Sequence, residues 1–561
     1  MNRLSNLDAR ELKILPWVTC LTTLVVYLSL PTRNYYWDGI AFSQQIEDAS
    51  KLSRDLIHPN HLIYTAIGFL DYRLLHALGF RLRALTALRI TNSVLSAASA
   101  YVLFEILMVC LSSAYLSCLL TLAFAFAATW WKFSTDANSY VLSVLFLLLC
   151  FRLVLPGRSS DQEGIGSGEP GKGKSCRPLL LAVAHTAAML FHELAVLFYP
   201  AAVLGLLQQT SALSRRRRLF VILEYSASAF LITAAAYYSA FYWVQGESGE
   251  HGFHSFLSWI TYHSPDVTVS WHGGSNTFYS LRGNLRLFLG GRPSWTVREW
   301  PAFTIGMASI LVILLSTFVY RLARHWSKVE PFLQRAPGVN SKFKPLAALA
   351  TVWIFPYLVF LFFWLPANTF YRLFYLPALV LLAGIFLSTY EKSLEGTRRY
   401  QAALLLAAMA LSNLTFDVFP NSQVKSNPPL AFAVEMGRIW DQQTSIYYGT
   451  FNADNWTIRY FNPETKWKQW PADLASLEVE LRQIRQTAGS AWLDTTARDL
   501  ILSTRGGCEW LAAHTPDSNP PHENAAGIQK KVVFESVNNH SRIIFQKIGS
   551  AAGFPGSATC R

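Results

Sequence analysis

The chain has 561 residues, 52% of them apolar and 15% charged, with a mean hydropathy of +0.24. Those values exclude a disordered chain, and seven cysteines are too few for a small disulfide-stapled secreted domain. A formal net charge of +13 raises nucleic acid as a partner until the positions of the charges are read.

The first apolar run, 12–30, follows Arg3, Arg10 and Lys13 without a small-residue cleavage site behind it, and reads as a signal anchor. Further runs stand at 84–110, 114–131, 140–155, 219–244, 302–320, 346–365, 373–390 and 402–416, each near the roughly 20 residues that carry a helix across a bilayer. The stretch 179–213 is too long for one span and holds His192 and Glu193 at its middle. As one helix it puts Arg215 to Arg218 and the basic stretch 321–344 outside, against the positive-inside rule. As a hairpin turning at His192 and Glu193 it returns every basic loop to the cytoplasm. Each arm then has about 17 residues, roughly 25 Å at a rise of 1.5 Å per residue, a length that neighbouring helices can cover.

The expectation is an all-α polytopic membrane protein with about 11 transmembrane helices over residues 1–416 and a cytoplasmic N-terminus. Positive charge gathered in inner loops orients the spans, which removes nucleic acid as a partner. The Gly/Ser/Lys-rich stretch 156–177 reads as a flexible inner loop. No internal repeat is visible, which argues against a transporter built on inverted repeats. Residues 417–561 hold no further span. Their β-rich runs at 445–450 and 542–548 and helical pattern over 474–487 predict an extracytoplasmic soluble α/β domain. Cys508 and Cys560 both fall in it and are available to pair. Three glycosylation sequons begin at Asn413, Asn455 and Asn539.

This topology places the unusual polar residues on one side of the membrane. The first outer loop holds Asp38, His58 and His61; a later turn holds Lys132, Asp136 and Asn138. His192 and Glu193 cap the hairpin, and Asn368, Tyr371 and Arg372 occupy another outer turn. Each has a structural alternative. Asp38 before Gly39 suits a helix N-cap, and Asp136 or Asn138 suits the cap of the helix beginning near Ser139. His58 and His61 are too few to define a metal site, and His192-Glu193 lacks the second histidine of a zinc-protease motif. His251, His254, His263 and His272 share one long outer loop with no metal-ligand spacing. Arg89 and Glu105 lie inside the second span, where ionisable groups pair between helices, snorkel or serve function.

The order of these motifs resembles the GT-C superfamily of membrane glycosyltransferases, closest to its protein O-mannosyltransferase-like branch. The resemblance rests on Trp37-Asp38-Gly39, on His58-Pro59-Asn60-His61-Leu62-Ile63-Tyr64, on the stretch from Trp130 to Tyr140, and on Leu190-Phe191-His192-Glu193-Leu194. It covers about the first 200 residues in motif and the rest in layout. Ile40 and Ala41 stand where relatives often carry a second acid, and Asn138 and Ser139 where many place a Glu before the matching Tyr. The resemblance implies transfer of a sugar from a polyprenyl-phosphate carrier to an acceptor hydroxyl on the outer face, of inverting hexosyl or mannosyl type. It implies Asp38 as the catalytic base. Arg372 and Lys132 become phosphate contacts, and His58, His61, Asp136, His192 and Glu193 contacts to sugar, phosphate or a divalent metal. The rivals are an O-antigen ligase or polymerase type of transferase, leaning on outer Arg and His, and a non-enzymatic transporter or assembly protein.

Overall fold

In a computed structural model of the chain, residues 9–155, 177–246, 249–261, 272–324, 341–391, 397–450, 452–471, 473–514, 531–535 and 542–548 are described. The chain divides into two compact units: residues 1–32 with 42–420, and residues 33–41 with 421–561.

The helices run in order α1 (Ala9–Ser29), α2 (Trp37–Asp48), α3 (Tyr64–Ala77), α4 (Ala84–Leu111), α5 (Ala114–Ala125) and α6 (Ala128–Ser134). Next come α7 (Tyr140–Val154), α8 (Pro178–Phe191), α9 (Tyr199–Gln209), α10 (Arg215–Gln245), α11 (Phe253–Ile260) and α12 (Gly273–Phe288). They continue as α13 (Pro293–Glu299), α14 (Pro301–Arg324), α15 (Lys344–Trp364), α16 (Leu376–Glu391) and α17 (Thr397–Asn413). Five helical stretches of the described residues are long and apolar enough to cross a bilayer: α4, α10, α14, α15 and Tyr400–Asn421. Shorter apolar helices are Lys13–Ser29, Tyr140–Val154, Pro178–Phe191, Glu193–Gln209 and Leu376–Ser388. The chain is thus a multi-pass membrane protein by composition and helix length. Small residues make the α4 contact face: Ser93, Ser96, Ala97, Ser99 and Ala100 are buried, and α4 packs on α1, α5 and α7. Large apolar side chains of α10 and α14, among them Phe220, Phe230, Ile305 and Ile313, point outward as lipid-facing residues do.

Two stretches depart from straight spans. The run 114–131, expected as one helix, is α5 and α6 bent by 68°. Asn413 makes the bend tolerable by satisfying a carbonyl that the break exposes, its amide donating to Phe126 O at 2.8 Å; the same side chain serves the end of α12, donating to Phe288 O at 2.7 Å and accepting Gly290 N on Oδ1 at 3.2 Å. Asn413 is therefore fully buried and closed to glycosylation. The stretch 179–213 breaks at His192, whose backbone is extended, and continues as a 3₁₀ turn (Glu193–Phe198) and α9. The His192 ring lies 5.0 Å from that of Tyr140 at the start of α7, whereas Gln209 Nε2 donates to the Leu153 and Leu155 carbonyls at its far end. The chain accordingly turns back at His192. His185 in α8 braces the turn through Tyr225 OH at 2.7 Å and Ala195 O at 2.9 Å.

The second unit holds a five-stranded sheet of order β2-β1-β3-β5-β4. Strands β1 (Thr444–Tyr448), β2 (Lys466–Gln469) and β3 (Ser490–Leu493) are parallel, and β5 (Arg542–Ile548) runs antiparallel to β3 and to β4 (Lys531–Glu535). Helices Ala453–Phe461 and Leu474–Gln486 form the two crossovers, as parallel pairing requires. Strand alternation divides the core: Ile446 and Trp492 pack with Phe432, Trp440 and Phe545 on one face, Tyr447 and Leu493 with Leu477, Leu481 and Ile501 on the other. Residues 33–41 join this unit. Arg33 N and Asn34 N donate to Asn421 O, Asn427 donates to Arg33 O, and Tyr35 stacks on Phe461. The division between the two compact units falls at 420/421, with this added segment.

Asn455 is buried and donates to Asp494 at 2.9 Å, which closes a second sequon; Asn539 lies outside the described residues. Cys508 is disulfide-bonded, while Cys560 and Cys176 lie outside the described residues and Cys20, Cys110, Cys118 and Cys150 are free. The loop 156–176 and His263 likewise fall outside them.

Candidate active site

The first unit gathers four of its elements around one aromatic and imidazole cluster. The turn between α6 and α7 is built by its polar side chains. Asn138 caps α7, its Oδ1 accepting Tyr140 N at 3.1 Å and Val141 N at 3.3 Å while its amide donates to Phe133 O at 2.6 Å. Asp136, fully buried, instead accepts Ala137 N on Oδ1 at 2.8 Å. From α4, Asn92 donates to the Asp136 and Asn138 carbonyls, Ser93 to Ser134 O, and Arg89 to Thr135 O. Arg89 thus holds a backbone carbonyl at the turn. Sequence reasoning missed Asn92 and Ser93; their signal was a polar pair inside an apolar helix.

Ser139, held by this turn, shares a hydrogen bond of 2.8 Å with His61 Nδ1. His61 also bonds the Phe191 backbone, and the loop behind it is pinned to the hairpin by Ile63 N donating to Leu190 O and to α10 by Tyr237 OH donating to Pro59 O. His61 and His192, 131 positions apart in sequence, meet at 4.8 Å between ring centroids, and His58 lies 6.0 Å from His61. Burial and the neighbouring His58 push the His61 imidazole down to about 3, so it is neutral in ordinary conditions. His58 is shifted down by burial as well. Tyr140, Tyr371 and Phe374 surround His192 at 5.0, 5.5 and 5.0 Å.

Arg372 stands beside this cluster in the turn Phe370–Phe374. Its guanidinium is fully buried and donates to Asn368 O at 2.8 Å, Pro366 O at 2.7 Å, Tyr375 OH at 2.7 Å and Ser280 Oγ at 3.4 Å. Tyr375 OH in turn donates to Asn284 Oδ1 at 2.7 Å. All four acceptors are neutral, and among the described residues no carboxylate pairs with it. Gly283 on α12 makes room: a Cβ there would stand 2.6 Å from Arg372 Nε. Neither Ser280, Gly283, Asn284 nor Tyr375 drew notice in the sequence, because their role exists only where α12 meets the turn. Lys132, half-buried at the end of α6, is also without a carboxylate partner among the described residues. Its neighbour Phe133 packs on Phe370 at 5.7 Å.

The remaining predicted residues fall elsewhere. Asp38 lies within the first turn of α2, with Gly39 N bonded to Tyr36 O, so it occupies a helical position and not that of the N-cap alternative. A carboxylate there is favoured by the helix dipole. Asp38 belongs to the 33–41 segment of the second unit. Glu193, half-buried, opens the 3₁₀ turn after His192. Among the described residues no three His, Cys, Asp or Glu side chains gather as metal ligands.

No protein-family model matches the chain, and no curated protein matches it in sequence. Among solved structures, ArnT from Cupriavidus metallidurans bound to undecaprenyl phosphate aligns with a TM-score of 0.52 at 14% identity, over 96% of this chain and 98% of that one. The apo state of ArnT from the same organism gives 0.51 at 13% identity, over 86% and 92%. At such identity the likeness is one of fold alone, and it runs along nearly the whole length of the chain.

Proposed function

We propose that the protein is a membrane glycosyltransferase that moves a sugar from a polyprenyl-phosphate carrier to an acceptor hydroxyl on the outer face of the membrane. The observation that carries this reading is the near end-to-end likeness to a structure bound to undecaprenyl phosphate. The buried guanidinium of Arg372, held among the described residues by neutral acceptors, supports it. A cation without a counter-ion raises the local potential where an anionic leaving group is to be stabilised. Lys132 adds a second positive charge on an adjoining element.

In the proposed reaction the acceptor oxygen attacks the anomeric carbon from the side opposite the phosphate. The new carbon–oxygen bond forms as the carbon–phosphate-oxygen bond breaks. Asp38 takes the hydroxyl proton, and the polyprenyl phosphate departs with the electron pair, inverting the anomeric centre. The Asp38 role and the O-mannosyltransferase-like, hexosyl character rest on the motif order around Asp38, His58, His61 and His192. The second unit, with its disulfide-bonded Cys508, is assigned to the outer aqueous phase, where disulfides persist. Purified protein incubated with a panel of polyprenyl-phosphate sugars is expected to release or transfer the sugar from at least one. No turnover across the panel refutes the reading.

A further inference from the structure

We infer that His192 is a sugar-contacting residue: its Nε2–H donates to a hydroxyl of a neutral hexose that packs against the rings of Tyr140, Tyr371 and Phe374. This rests on the carrier-linked sugar reading above.

The tautomer follows from the local fold. Leu194 N donates to His192 Nδ1 at 3.2 Å, so Nδ1 is the acceptor and the ring proton of the neutral imidazole sits on Nε2. That proton has no partner among the described residues, although His192 is only 2% exposed. Nε2 itself stays reachable by solvent, so a ligand hydroxyl there takes the place of water. Capping does not explain the choice of residue, since Ser, Asn or Asp accepts the same backbone N–H. Histidine adds a rigid second donor that reaches past the turn.

The surroundings select the ligand. Ring neighbours of His192 are His61, Tyr140, Tyr371 and Phe374, and Arg372, next to Tyr371 in the chain, spends its guanidinium on acceptors of its own turn, on Tyr375 and on Ser280 of α12. A phosphate would need a cation and an ammonium would need an acid at that place. A neutral ring with hydroxyls on its edge and C–H groups on its face needs one donor and apolar walls. His61 reinforces this, because its imidazole stays uncharged.

The test measures binding of undecaprenyl phosphate and of its neutral hexosyl ester to the full chain in nanodiscs. His192→Asn keeps an oxygen for the Leu194 cap and removes the reaching donor; His192→Ala removes both. Wild-type protein is expected to bind the hexosyl ester about tenfold more tightly than the bare phosphate. His192→Asn should collapse that ratio toward one while leaving affinity for the bare phosphate unchanged. A ratio retained in both variants, or equal loss of both lipids, overturns the sugar contact alone. Tighter binding of an amino-hexose ester overturns the neutral-sugar assignment. Wild-type protein that binds neither lipid overturns the carrier reading and this inference with it.

Discussion

Replacing Gly283 by alanine tests whether the buried guanidinium is as fixed as its contacts imply. An alanine Cβ would meet Arg372 Nε at 2.6 Å, NH2 at 2.9 Å and Cζ at 3.0 Å. The far end of a side chain usually moves aside, but this one is fully buried and held by four hydrogen bonds. Hydrogen bonds of a charged donor are worth about 1.5–3 kcal/mol each, so giving up one or two costs about 2–6 kcal/mol. Alanine regains about 1 kcal/mol over glycine through helix propensity, too little to offset the loss. The expected result is a lower apparent melting temperature in detergent together with weaker binding of polyprenyl phosphate. Gly306→Ala in α14 is the control, since a Cβ there meets nothing within 4 Å, and it should not destabilise. A Gly283→Ala variant that melts at or above the wild-type temperature and binds the carrier normally refutes the idea that Arg372 is locked in place.

Asp38→Asn at normal expression should lower sugar transfer by about 10²–10⁴, the range of a lost general base; undiminished turnover removes Asp38 from the mechanism. Asn138→Ala should destabilise the first unit by about 1–2 kcal/mol through loss of the α7 cap, and thermal melts in which Asn138→Ala matches wild type would contradict the cap geometry. Because the His61 pKa is about 3 in the folded protein against an ordinary 6.5, the unfolded chain takes the proton first. Its contribution to stability is whole above about pH 6.5 and falls as pH drops toward 3. Melting temperatures followed from pH 7.5 to 5 should decline, with a shallower decline in His61→Gln; identical slopes would count against the assignment. Reduction of the Cys508 disulfide should destabilise the second unit by about 2–4 kcal/mol, read from protease resistance with and without reductant.

Much of the layout was legible from residues 1–561 alone, because hydrophobic run length and strand alternation are sums over neighbours in the chain. The apolar runs sit on helices, the reversal at His192 stands where a polar pair interrupts a run too long for one span, and β1 and β5 lie at the β-rich stretches. The 68° bend between α5 and α6 was not legible, since Asn413, which satisfies the opened carbonyl, stands nearly 290 positions away. The same residue read locally as a glycosylation sequon; packing made it a buried backbone clamp. The candidate site divides in the same way. Its histidines and Arg372 stand out as residue types in turns between apolar runs. The pairing of His61 with His192, the tautomer that leaves Nε2 open, and the glycine that seats Arg372 each depend on which distant elements are pressed together. Composition dictates which segments leave water, whereas only tertiary contact decides which of their polar groups are satisfied by the protein and which are left for a ligand.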